Sequence, residues 1–172
     1  MACLLAAELL VWSGVAKVLR PEATVTALRA LRLPAGSSWA RASGAVELIT
    51  GSLCFAVPSR PLALVVSALY LAFAGFVLAS LTGVIRTSDC GCFGSRGSPP
   101  SWLHVGMNLT AAAAAARVAL MTKPPGLVGF VRDAPGSGMV LLVGLATAGY
   151  LSVLVATKLP HLASSYRATG TS

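Results

Sequence analysis

Two thiols one residue apart, Cys90 and Cys92, lie in the stretch Ser88-Asp89-Cys90-Gly91-Cys92-Phe93-Gly94, a short polar gap between two long apolar runs. A disulfide needs its Cα atoms within about 7 Å of one another, so a Cys-x-Cys pair closes on itself only where the backbone turns. Gly91 permits that turn, and Gly94 gives the same freedom just beyond Phe93, because glycine reaches backbone angles that a Cβ forbids. Accessible thiols in such a loop are the setting of a redox pair. Two other readings stand beside it: half of a zinc site, or inert small residues. A structural zinc takes four ligands, normally as two pairs, and the nearest further candidate, His104, stands alone in the next apolar run; no metal site is expected. Local charge acts in both directions, since Asp89 favours the protonated thiol of Cys90 while Arg86 and Arg96 favour a thiolate.

The elements that must hold this loop are apolar. Hydrophobic residues make up 56% of the 172 and charged residues only 10%, with a mean hydropathy of +0.80, too apolar for a domain whose surface is covered by charge. Runs matching a bilayer crossing of roughly 17 to 25 residues fall at 2–19, 40–57, 62–85, 101–121 and 139–156. The first lacks a basic leading region, carries Glu8 and ends on Lys17 and Arg20, so it reads as a span and not as a cleaved signal. The expected fold is all-α, a polytopic transmembrane bundle with a four-helix core and a fifth C-terminal span. Its parts are a bundle over 1–121 with the redox loop at 86–100, a loop at 122–137, the fifth helix at 138–157 and a polar tail at 158–172, disordered at its end. The net charge of +8 is scattered over connecting segments in ones and twos. It forms no nucleic-acid patch; the partner implied is the lipid bilayer.

Charged and polar groups inside these runs are the second set of candidates. Glu47 lies about seven residues into its run, hence roughly 10 Å below the entry. Gly44 and Gly51 share its stripe, so the carboxylate is expected in a close helix contact, where an intramembrane acid marks a functional site by default. Lys17 enters from the same face with Ser13 and Gly14 on its own side, and its side chain is within reach of Glu47; a structural ion pair explains both charges without chemistry. His104, Asn108 and several alanines of the 111–116 run share one helix face, with Asn108 about 10 Å below the cysteine loop. Lys17, Glu47, His104 and Asn108 therefore converge beneath the face that carries Asp89, Cys90 and Cys92. Glu8 is expected near the opposite interface with little role. Cys3 and Cys54 also belong near that opposite face, as packing residues.

The connecting segments are legible in outline. Pro21 suits the first turn of a helix, and the residues after it put Glu22, Thr26 and Arg29 on one arc and Ala27, Leu28 and Leu31 on another, a short interfacial helix ended by Pro34 and Gly36. Trp39 and Trp102 sit at interfacial depth. Pro124, Pro125 and Gly126 through Pro135 and Gly136 make a breaker-rich loop, with 127–131 returning to the membrane surface. Nine of the thirteen Lys and Arg residues fall on the cysteine side, which the positive-inside rule would place in the cytoplasm, whereas disulfide formation belongs on the oxidising side. Without Lys17, Arg29 and Arg32, which are embedded or interfacial, six stand against four, and charge does not fix the orientation.

The pattern resembles the MauE family, the methylamine-utilisation membrane proteins related to the DoxX-like group. The matching pieces are Ser-Gly-Val-Ala-Lys-Val-Leu-Arg-Pro at 13–21, Val-Glu-Leu-Ile-Thr-Gly at 46–51, Asp-Cys-Gly-Cys-Phe-Gly at 89–94, and Trp102 followed by Asn108. The resemblance implies a bundle akin to that of quinone-linked disulfide-forming membrane proteins and a role in maturing the disulfide-rich small subunit of methylamine dehydrogenase. It makes Cys90 and Cys92 the redox pair and Lys17, Glu47 and Asn108 the family positions beneath them. A quinone is then a conceivable cofactor, and an exported disulfide-containing protein or a thioredoxin-like protein a conceivable partner. Rival classes are a non-enzymatic assembly scaffold and a small-solute transporter.

Overall fold

The computed structural model describes residues 2–85, 99–121 and 127–169, with side chains as far as Lys158. Among the described residues the chain forms α1 (Ala2–Leu19), α2 (Glu22–Ala30), α3 (Ser37–Ala56), α4 (Arg60–Leu81), α5 (Trp102–Ala119), α6 (Leu127–Asp133) and α7 (Pro135–Thr169), and no strand. Three helices are long and apolar enough to cross a membrane: α1, α4, and α7 over Pro135–Lys158. Helix α3 is of similar length but carries Arg41 and Glu47, and α5 carries His104, Asn108 and a run of weakly apolar alanines.

Two antiparallel pairs make the core. Helix α1 runs against α3, with Gly14 beside Gly44 and Ala7 beside Gly51. Helix α4 runs against α5, joined where the Ser67 hydroxyl donates to the Ala112 carbonyl at 3.0 Å. The pairs meet along α1 and α5, and the Tyr70 hydroxyl donates to the Ala6 carbonyl at 2.6 Å, closing α4 onto α1. The interior is built from small residues, Ala6, Ala7, Ala112 and Ala115, around Leu10, Val66 and Tyr70. Large apolar side chains point the other way: Leu64, Leu71 and Leu78 on α4, and Val140, Val143 and Leu151 on α7 are exposed. A continuous apolar exterior over a small-residue interior is the inverse of a water-soluble surface and fits lipid contact, where small residues let helices approach.

The α1–α3 crossing is the tightest contact. A Cβ at Gly14 would lie 2.5 Å from the Gly44 carbonyl oxygen, and one at Gly51 would lie 2.6 Å from the Ala7 carbonyl oxygen. Backbone atoms cannot yield as a side-chain tip does. A Gly14→Ala variant is therefore expected to lose about 1–3 kcal/mol. Gly106 faces open space, so Gly106→Ala should gain about 0.5–1 kcal/mol from helix propensity. Thermal unfolding of the two purified variants in one detergent checks both signs.

Several boundaries differ from the sequence expectation. Helix α4 stops at Leu81 and not at 85, because Gly83 takes φ +77° just after the Thr82 cap, a left-handed stop that glycine tolerates. Helix α2 ends at Ala30, before Pro34, with Arg32 in the left-handed region at φ 57° and Leu33 N–H bonded to the Leu28 carbonyl at 3.0 Å. The segment 122–137, expected as a loop, contains α6, whose end leads directly into α7 at Pro135; proline at a first helical position gives up no internal bond. The polar tail from 158 continues α7 as far as Thr169; extending an existing helix adds one bond for each residue fixed, without a new nucleus.

Candidate functional site

Helices α1, α3, α4 and α5 deliver polar side chains to one place because each spaces them at helical intervals on its inner stripe. On α1, Ser13 and Lys17 are one turn apart and both buried. On α3, Gly44, Glu47 and Gly51 are buried together, and the absence of side chains at the glycines brings the Glu47 carboxylate against α1. The Lys17 ammonium pairs with Glu47 Oε1, and the Ser13 hydroxyl donates to Glu47 Oε2 at 2.6 Å, so both carboxylate oxygens are engaged. Lys17 and Glu47 are 4% and 3% exposed, which makes this a buried pair whose desolvation must be met by its own bonds. The ammonium also lies 4.6 Å from the centroid of the Phe73 ring on α4, within the range of a cation–π contact.

The α5 residues form the other half. Ser101 precedes the helix, and its Oγ lies 2.7 Å from His104 Nδ1. Asn108 Nδ2 donates to the His104 carbonyl at 2.7 Å. His104, Asn108 and Met107 share a small cavity with Ser13, Tyr70 and Phe73. Of the four residues expected to converge, Lys17 and Glu47 pair directly, and His104 and Asn108 line a small cavity with Ser13, the hydrogen-bond partner of Glu47. Ser13, as a partner of Glu47, was not among the expected site residues; its place four residues before Lys17 is the signal that would have found it. Phe73 gave no such signal, since its position relative to Lys17 depends on how α4 packs.

Asp89, Cys90 and Cys92 lie outside the described residues. The chain leaves α4 and re-enters α5 at the end of the bundle where α1 finishes, the same end as Lys17 and Ser101. Cys3 and Cys54 are free thiols that line a crevice of about 460 Å³ with Arg117 at the other end of the bundle. Cys54 belongs to the apolar core and Cys3 packs against it, in keeping with packing roles. Glu8, expected near the opposite interface with little role, has its carboxylate against α7 at Gly149, and its Oε2 is buried without a partner among the described residues. Among the described residues no group of three or more metal-ligating side chains occurs.

Comparison with known proteins gives one match. A family model described as "Methylamine utilisation protein MauE" matches residues 1–121, which takes in α1 to α5 and the cysteine segment. No curated protein and no solved structure matches the chain.

Proposed function

The chain belongs to the MauE family of methylamine-utilisation membrane proteins, and from that premise we propose that it is a membrane thiol–disulfide exchange protein acting in the maturation of a disulfide-rich partner. The observation that carries the reading is the Asp89-Cys90-Gly91-Cys92-Phe93-Gly94 motif, which falls in the sequence between α4 and α5. The bundle spans the bilayer five times, with α3 and α5 crossing beside α1, α4 and α7. Helices α3 and α5 bury Glu47, His104 and Asn108 inward, which lets moderately apolar segments stand in lipid.

The exchange balances as follows. A thiolate of the partner attacks one sulfur of a Cys90–Cys92 disulfide, forming a mixed disulfide and releasing the other cysteine as a thiolate. A second partner thiolate attacks the partner's own sulfur in that mixed disulfide, so the partner leaves oxidised and the loop pair reduced by two electrons. The pair is reoxidised by an acceptor such as a lipid-soluble quinone or an oxidised thioredoxin-like protein. The ion pair holds the helices that present the loop.

Thiol labelling in intact cells tests the reading, in a background where Cys3 and Cys54 are alanine. A membrane-impermeant maleimide is expected to label Cys90 and Cys92 only after a reductant is added, as an oxidised pair on the outer side requires. Labelling that needs permeabilised cells would place the thiols in the reducing compartment and overturn the maturation role.

A further inference from the structure

Among the buried polar side chains, His104 has one nitrogen with nothing to bind. Its residue is 2% exposed, Nδ1 is engaged by Ser101, and Nε2 has no partner among the described residues. Either tautomer leaves Nε2 with a hydrogen bond to make, and a buried polar group without one is costly. The ring lines a cavity of about 30 Å³ between α1, α4 and α5. A single water needs about 10–15 Å³ of such space and two to four polar partners.

The walls supply those partners. Asn108 spends Nδ2 on the His104 carbonyl, which leaves its Oδ1 acceptor to offer. Ser13 presents its hydroxyl oxygen, already linked to Glu47 Oε2 at 2.6 Å. The remaining walls, Leu9, Leu10 and Phe73 among them, are apolar and confine a guest to the polar corner. Tyr70 also lines the space, with its hydroxyl given to the Ala6 carbonyl.

We infer that this cavity holds one ordered water, and that the water completes a hydrogen-bonded chain from Ser101 through His104, the water and Ser13 to Glu47. Such a chain passes a proton without moving a heavy atom. The bonds run in one direction: His104 Nε2–H donates to the water, the water donates to Ser13 Oγ and Asn108 Oδ1, and the Ser13 hydroxyl donates to Glu47 Oε2. The charged and titratable groups around this chain are Lys17 from α1, Glu47 from α3 and Tyr70 from α4. The outer end, Ser101, directly follows Pro99 and Pro100, where the chain returns from the cysteine segment. Interconversion of a dithiol and a disulfide moves two protons with its two electrons, so the chain gives that chemistry a proton route. This use rests on the thiol-exchange reading; the water site itself does not.

The test uses the full chain in lipid nanodiscs. The sequence has two histidines, so His161→Gln leaves His104 as the sole imidazole for ¹⁵N labelling, and serine is labelled at ¹³Cβ. Solid-state NMR then reads magnetisation transfer from water. Transfer to His104 Nε2 and to the Ser13 Cβ is expected, with loss of the Nε2 signal in Asn108→Leu while the Nδ1 shift set by Ser101 stays in place. If Asn108→Leu does not fold, Met107→Phe fills the same cavity and should give the same loss. An intact Nδ1 signal with no water transfer to Nε2 means a dry cavity and overturns the proposal. Transfer to Nε2 that survives both filling variants overturns it as well, since the water would then lie elsewhere. Repeating the measurement in Cys90→Ser/Cys92→Ser separates the two ideas, because the water signal should persist there whatever the thiols do.

Discussion

A Glu47→Leu variant that keeps Lys17 is expected to lose about 3–5 kcal/mol of bundle stability, because it leaves an ammonium buried without its counter-charge. The size follows from burial: both partners are almost fully enclosed, and removing the carboxylate takes a hydrogen bond from the Ser13 hydroxyl as well as the counter-charge from Lys17. The Phe73 ring beside the ammonium offsets little of this, since a cation–π contact contributes on the order of 0.5–2 kcal/mol. The double variant Lys17→Met/Glu47→Leu should recover most of the loss, because replacing a whole buried pair with apolar side chains of similar volume is close to neutral. Denaturant-driven unfolding of the purified protein in mixed micelles, read by helical signal, gives both numbers. A single-variant loss below about 1 kcal/mol would mean that the pair behaves as a solvated one, and the enclosed site described above would be wrong.

This pair was legible in the sequence, and the reason is geometric. A helix rises by a fixed amount per residue, so counting from the ends of the apolar runs put Lys17 slightly shallower than Glu47 and within its reach, and the glycines at 44 and 51 marked the face of a close helix contact. The same counting put His104 and Asn108 on one face of α5. Depth and face are local properties of a helix, and the sequence carries them.

What was not legible depends on how helices pack. That Glu8 meets Gly149 requires α7 to lie along α1, a tertiary choice that no periodicity in either helix encodes. Phe73 under Lys17 and the unpartnered Nε2 of His104 are of the same kind: they depend on which rotamer and which neighbour close a space only the assembled bundle defines. The errors at element ends have a different cause. Breaker residues at 124–136 read as loop, but proline opens a helix as readily as it ends one, so Pro135 marks the start of α7.

The second large effect concerns the cysteines. Each single variant, Cys90→Ser and Cys92→Ser, is expected to abolish partner oxidation as completely as the double variant, since two groups that act as a unit are not additive. The singles differ in what accumulates. The variant that keeps the cysteine contacted by the partner should trap a mixed disulfide with oxidised partner, its thiolate attacking the partner's disulfide and releasing one partner thiolate, visible as a reductant-sensitive adduct on a non-reducing gel, because no second loop thiol remains to carry the exchange through and release the partner reduced. Its counterpart should show no adduct. Gly14→Ala serves as the contrast: it weakens the bundle at the α1–α3 crossing and lowers the yield of folded protein, but the molecules that fold keep their thiol chemistry. If the double serine variant still supports maturation of the partner in cells, the loop is a docking surface and the protein a scaffold. If activity instead requires Glu47 and ignores both cysteines, the buried carboxylate is the working group, and the bundle moves a solute and not electrons.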